Sequence, residues 1–162
     1  MGGGSLSIDP FDQIARATLQ LGWLGQRHFL QLLAEERFAL TIPQFYTLLH
    51  LSHRADECKM SDLARATQQS AASLTGVVDR LLEKRLVARV RPEGDRRQVM
   101  VTVTEEGRAL LAKIAEARRL AMRMALEHLA AGEIDGLLRL LDMLIGGMQR
   151  AVDARDLRND RA

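Results

Sequence analysis

The sequence predicts a mainly α-helical chain that carries one small β-hairpin. Three observations predict it. Apolar residues recur at helical spacing along most of the 162 residues. Leu, Ala, Arg and Met are plentiful while aromatic residues make up 4%, a mix that favours helix. Between Val87 and Val103 the period changes to apolar–polar alternation, the pattern of short strands.

Length and composition bound the remaining possibilities. The chain has the size of one ordinary domain, and its 47% apolar and 27% charged residues are a globular balance. A chain this long buries roughly two thirds of its unfolded surface, so folding requires no disulfide or metal. No run approaches the roughly 18 apolar residues of a membrane span. Cys58 is the single cysteine, and the N-terminus lacks a basic-then-apolar export layout. A cytoplasmic protein is expected.

The elements follow in order. Gly2, Gly3, Gly4 and Ser5 read as part of a flexible lead over residues 1–8. Asp9-Pro10 starts a helix, because Asp caps free amides and Pro at the first helical position sacrifices no hydrogen bond. Ile14, Thr18, Leu21, Gly25, His28 and Leu32 continue it to about Arg37. Thr41 and Gln44 have capping-box spacing and open a second helix with Phe45, Leu48 and Leu49 on its apolar face. Residues 54–59 read as a polar break. Ser61 opens a short helix, Thr67-Gln68-Gln69 turns, and Ser70 starts a helix whose apolar face is Leu74, Val77, Val78 and Leu81. Val87 and Val90, then Val99, Val101 and Val103, mark two strands around the turn residues Pro92-Glu93-Gly94-Asp95. Thr104 caps a long helix with Glu105 and Glu106 at its positive end and a stripe of Leu110, Ile114, Ala117, Ala121 and Met124.

The last helix is expected over about Glu133 to Val152. Leu137, Leu138, Leu140, Leu141, Met143, Leu144, Ile145 and Met148 cover more than one of its faces. A surface helix buries one stripe, whereas apolar residues all round require burial on two sides. A terminal helix finds its second cover on a partner, so a homodimer is expected, with Phe11, Ile14, Leu137, Leu141, Leu144 and Met148 at the interface.

Charge is uneven. Net charge is +2, yet between Lys59 and Arg97 nine basic residues face five acidic ones. The densest cluster is Lys84, Arg85, Arg89, Arg91, Arg96 and Arg97. Such a stretch is either a solvated basic surface or the footprint of a polyanion-binding face. A short helix, a tight turn and a second helix followed by a basic hairpin describe a winged helix-turn-helix. A helix fits the major groove of B-DNA, and an arginine-bearing hairpin reaches the adjacent minor groove.

Residues 63–65 (Leu-Ala-Arg), the Ser70–Thr75 stretch, Val77 through Lys84, Asp95-Arg96-Arg97 and Val101 through Gly107 together resemble the MarR family of bacterial transcriptional regulators. The motifs cover roughly residues 41–129, and the helix order matches throughout. The resemblance implies a triangular homodimer built from the terminal helices, with two winged lobes on a palindromic double-stranded DNA operator. It also implies regulation, often repression released by a small phenolic or otherwise lipophilic anion. Residue by residue, it makes Ser70 the cap of the recognition helix and places Ala72, Ser73, Thr75 and Gly76 on the face that meets DNA. Arg97 matches the wing-tip arginine and Asp95 the carboxylate holding it, with Arg91 and Arg96 as phosphate or groove contacts. Two departures stand out. Gly76 replaces a long polar or basic residue, and Arg85 replaces the glycine that suits a left-handed helix end.

Domain expectations follow: dimerisation helices over residues 9–40 and 104–155, a DNA-binding lobe over 41–103, and a flexible tail over 156–162. Gly22 and Gly25 flank Trp23 and each costs about 1 kcal/mol relative to alanine inside a helix. Either they permit close helix packing, or they border an effector cavity of Trp23, Arg16, Arg27 and Phe45. His50 and His53 share a helix face at i, i+3 without a second ligand pair, so no metal or other cofactor is expected. Cys58 is either an inert thiol or a redox input, with Lys59 beside it favouring the thiolate. No nucleophile, P-loop or zinc-protease motif is present, which excludes the common enzyme classes. The expected function is sequence-specific DNA binding by a ligand-responsive repressor. Its rivals are a winged-helix protein-interaction module and a DNA binder with metal or thiol input.

Overall fold

The computed structural model of the chain describes residues 9–54, 57–90 and 100–159, with side chains as far as residue 154. Helix α1 spans Pro10–Ala34 and α2 Ile42–Ser52, followed by strand β1 (Cys58–Lys59) and helices α3 (Met60–Ala66) and α4 (Ala71–Glu83). Strands β2 (Val87–Val90) and β3 (Met100–Val103) lead into α5 (Glu105–Ala125) and α6 (Ala131–Asn159). The chain divides into two compact units, residues 1–118 and 119–162, with the boundary inside α5. The expected lead lies outside the described residues, as do Val99, the hairpin tip and the last three residues of the expected tail.

Local chemistry sets the helix ends. The Asp9 carboxylate accepts from the Phe11 amide at 3.0 Å, with Pro10 in the first turn of α1. Thr41 and Gln44 form the reciprocal box: the Thr41 amide donates to Gln44 Oε1 at 2.9 Å, and the Gln44 amide to Thr41 Oγ1 at 3.5 Å. Helix α1 stops at Ala34, three residues before the expected end. The amides of Phe38 and Ala39 both donate to the Glu35 carbonyl, and Ala39 takes φ 46°. That turn drives Phe38 and Leu40 into the core, both about 5% exposed or less. Two large apolar side chains buried outweigh one more helical turn.

Between α2 and α3, where a polar break was expected, Cys58 and Lys59 form a third strand. A two-residue strand has no period to read. The antiparallel sheet runs β1-β3-β2, with Cys58 and Arg89 both opposite Val101 and Val87 opposite Val103. One core joins the pieces of the first unit: Leu48 and Leu51 of α2, Leu63 of α3, Leu74, Val78 and Leu81 of α4, Val101 of β3 and Ile114 of α5. From α1 this core takes Phe29, Leu32 and Leu33. Upstream, Phe11, Ile14, Leu19, Leu21, Trp23 and Leu24 are exposed.

In the second unit, Glu133 closes the start of α6, its carboxylate accepting from the Ala130 amide at 2.8 Å. The helix runs to Asn159, beyond the expected Val152. Leu138, Leu140, Met143, Leu144, Ile145, Met148 and Val152 are all exposed, and Leu137 and Leu141 are half-buried.

Candidate nucleic-acid interface

The interface is built on α3, the turn after it and α4. Helix α3 ends in a paired hydrogen-bond motif: the Gln68 amide donates to the Arg65 carbonyl at 3.2 Å and the Gln69 amide to Ala64 at 2.9 Å. This Schellman arrangement requires a left-handed residue, and Gln68 supplies it at φ 53°. The Gln69 side chain then donates to the buried Thr47 hydroxyl at 3.0 Å, tying the turn to α2. Ser70 caps α4, its Oγ accepting from the Ser73 amide at 3.2 Å.

Helix α4 is two-faced. Leu74, Val77, Val78 and Leu81 are buried, whereas Ser70, Ala72, Ser73, Thr75 and Gly76 are exposed. All five residues expected at the DNA face therefore lie at the start of α4, away from the core. Small side chains and free amides there let a helix approach a phosphate backbone closely. The Thr75 hydroxyl donates to the Ala71 carbonyl at 2.9 Å, leaving its oxygen as an acceptor toward solvent. A Cβ on Gly76 would meet nothing within 4 Å, so the glycine there is not a packing requirement.

Arg80 was not among the expected contacts. It is exposed and has no ion-pair partner among the described residues. It follows Ser73 and Gly76 by seven and four residues, which puts all three along one side of α4. That spacing was the available signal. Arg89, part of the basic cluster, is committed within the chain: its guanidinium meets Asp79 at 2.6 Å and straps β2 to α4. Nothing in the sequence pairs those two residues. Lys84 donates to the Ala39 carbonyl.

The wing base is clamped. The Arg85 amide donates to Leu82 and the Leu86 amide to Leu81, both at 2.9 Å, a second Schellman motif with Arg85 at φ 59°. Arg85 thus adopts the left-handed conformation for which a glycine is suited. Thr104 Oγ1 donates to the Arg85 carbonyl at 2.8 Å and accepts from the Gly107 amide at 3.1 Å. Arg91, Asp95, Arg96 and Arg97 lie outside the described residues.

The expected effector residues are spread over two places. Trp23 and Arg27 share a shallow groove of about 390 Å³ with Leu30, and the Arg27 guanidinium sits 5.3 Å from the Trp23 ring centre. Arg16 donates to the Asp12 carbonyl on the same helix and does not line that groove. Phe45 is 5% exposed in the core, edge-on to Phe29 at 4.9 Å. Gly22 and Gly25 have open space where a Cβ would go.

The other inputs are equally placed. Cys58 is buried, and burial pushes its thiol up, with Asp62 adding to the rise and Arg54 opposing it. A buried, protonated thiol is a poor nucleophile. Among the described residues no three His, Cys, Asp or Glu side chains gather as a metal site. No helix among them is long and apolar enough to cross a membrane.

Known proteins share this architecture. Residues 40–98 match the MarR family model. The chain is 35% identical over 112 residues to the HTH-type transcriptional repressor NicR of Pseudomonas putida, covering 69% of this chain and 70% of that protein. Of solved structures, RV1404 of Mycobacterium tuberculosis superposes with a TM-score of 0.73 at 27% identity, covering 88% of this chain and 97% of the other. A Staphylococcus aureus MepR mutant bound to an oligodeoxyribonucleotide gives 0.69 at 19% identity, covering 83% and 97%, a likeness of fold. With the capped, two-faced α4 and the strand pair beside it, these matches identify the chain as a member of the MarR family, a non-enzymatic transcriptional regulator with a DNA-binding winged helix.

Proposed function

We propose that the protein is a homodimeric repressor that binds a palindromic DNA operator and is released by a small lipophilic or phenolic anion. The observation that carries this reading is the start of α4. Ser70, Ala72, Ser73, Thr75 and Gly76 are all exposed on a helix whose opposite face is locked into the core. That helix enters the major groove, and Ser73, Thr75 and Arg80 meet base edges or phosphates. The hairpin with Arg91, Arg96 and Arg97 enters the adjacent minor groove, with Asp95 orienting Arg97. Phosphate neutralisation supplies most of the affinity.

The exposed apolar side chains of α1 and α6 support the dimer. Phe11 is 78% and Met143 72% exposed, and large apolar patches of this kind seek a partner. Residues 9–40 and 104–155 would then serve dimerisation and residues 41–103 DNA binding. Two recognition helices must sit one DNA turn, roughly 34 Å, apart to enter successive major grooves. An anion captured by Arg27 against Trp23 would change that spacing, and the protein would shift to a dimer geometry that leaves the operator.

Footprinting on the DNA upstream of its own gene tests the reading. Two symmetric protected half-sites about one helical turn apart, lost on adding an aromatic acid that quenches Trp23 fluorescence, are the expected result. A single asymmetric footprint, indifferent to every such acid, would overturn it.

A further inference from the structure

Behind the turn that precedes α4, helix α2 and that turn border an open cleft of about 520 Å³. Ile42, Pro43, Tyr46 and Leu49 give it apolar walls, and His50 of α2 and Gln69 of the turn also line it. Each of these two carries a buried polar atom without a hydrogen-bond partner among the described residues, His50 Nε2 and Gln69 Oε1. The Gln69 amide nitrogen is already committed to Thr47. Buried polar atoms are normally satisfied, and an exception calls for an explanation. A cleft of this size, mostly apolar with a few convergent polar groups, has the make-up of a small-molecule site. Among the described residues no Lys, Arg, Asp or Glu lines it, and the only side chains there able to take a positive charge are the imidazoles of His50 and His53. A charged ligand would give up hydration there without meeting a permanent opposite charge among the described residues.

We propose that this cleft binds a small uncharged aromatic molecule whose polar edge both donates and accepts a hydrogen bond, such as a carboxamide. The ring lies between Pro43 and Tyr46. The ligand donor bonds Gln69 Oε1, and His50 Nε2 donates or accepts according to its tautomer. Both atoms are closed to solvent in this structure, so the ligand reaches them when the two side chains turn toward the cleft, Gln69 releasing Thr47 as it turns. The site belongs to one lobe and differs in place and in ligand charge from the groove at Trp23 and Arg27. Its consequence is local: a molecule bridging His50 and Gln69 pins the turn to α2 immediately before Ser70, the cap of α4. That consequence for DNA rests on the reading of α4 given above, whereas binding itself does not.

The test is an NMR titration of the ¹⁵N-labelled full chain with benzamide, and with benzoate as the charged molecule of the same ring. Saturable shifts of the Gln69 side-chain amide and of the Gln68–Ser70 backbone are expected, with benzoate at least about tenfold weaker. His50→Phe and Gln69→Leu should each weaken benzamide by about tenfold or more. Tyr46→Ala, at an exposed position, should weaken it too and serves if either variant fails to fold. No saturable shift up to about 10 mM benzamide, shifts confined to the Trp23 groove, or shifts unaltered by the variants would each overturn the proposal. Because the titration contains no DNA, its failure is separable from a failure of the operator reading.

Discussion

Gly107 and Leu86 meet backbone against backbone: a Cβ on Gly107 would stand 2.3 Å from the Leu86 carbonyl oxygen and 2.9 Å from Val103 Cγ2. That same carbonyl accepts from the Thr104 amide at 3.1 Å. The first turn of α5 is therefore seated directly on the base of the wing, and the oxygen it presses on cannot swing away as a side-chain tip would. Gly107→Ala should cost about 1–3 kcal/mol through overpacking, read as a lower urea midpoint with an unchanged slope. A variant within about 0.5 kcal/mol of the parent would mean that α5 is not seated as described.

Arg85 should be improvable. Its φ of 59° carries the left-handed penalty of a side chain, and its guanidinium is exposed. Arg85→Gly removes the strain and returns part of the gain as unfolded-state entropy. A net stabilisation of up to about 1 kcal/mol is expected in thermal unfolding. A clear loss would mean that the arginine makes a compensating contact at the wing base.

Cys58 yields a pH prediction. Burial raises the thiol pKa in the folded state, so the folded protein holds its proton where the unfolded chain releases it. Stability from this group is complete below the unfolded thiol pKa of about 8.5 and declines as pH rises past it toward the folded value. Cys58→Ala should flatten that alkaline decline, and the native thiol should resist DTNB (5,5′-dithiobis-(2-nitrobenzoic acid)) at pH values near 8. Rapid modification of the folded protein would contradict the burial and reopen a thiol input.

How much of this was legible depended on how local the cause was. The Asp9 and Ser70 caps and the Thr41–Gln44 box lie within a few residues, and each formed where the sequence placed it. The α4 faces were equally legible, because a 3.6-residue period separates Leu74, Val77, Val78 and Leu81 from Ser73, Thr75 and Gly76. Non-local partnerships were not. Gln69 finds Thr47 across 22 positions, and Arg89 finds Asp79 through strand placement that no spacing rule encodes. Strand β1 escaped because two residues carry no alternation. The early end of α1 was decided by burial of Phe38 and Leu40, which propensity does not weigh. At the effector site, composition joined Phe45 to Trp23, whereas packing took Phe45 into the core.

Leu141→Asp tests the second face of α6. Leu141 is half-buried within its own chain, with exposed Leu138, Leu144 and Ile145 around it. Sedimentation should show a monomer or an unfolded chain, since an unpaired carboxylate in an apolar interface has no compensating partner. A soluble dimer of unchanged affinity would remove α6 from the interface.

Arg97→Ala separates a DNA contact from a structural residue. Operator affinity should fall by about tenfold or more, as expected when an arginine is withdrawn from a narrow minor groove. The melting temperature should stay nearly unchanged, as expected of a side chain that contacts DNA and does not hold the fold together. A large loss of stability would assign the residue to the fold.

The most direct measurement is fluorescence anisotropy of the protein on the DNA upstream of its own gene, across a salt series with excess nonspecific competitor. Tight binding that survives the competitor and falls steeply with salt is expected of a sequence-specific winged helix held by several phosphate contacts. No binding to that fragment, even at low salt, would contradict the operator reading and favour a winged helix turned to protein interaction.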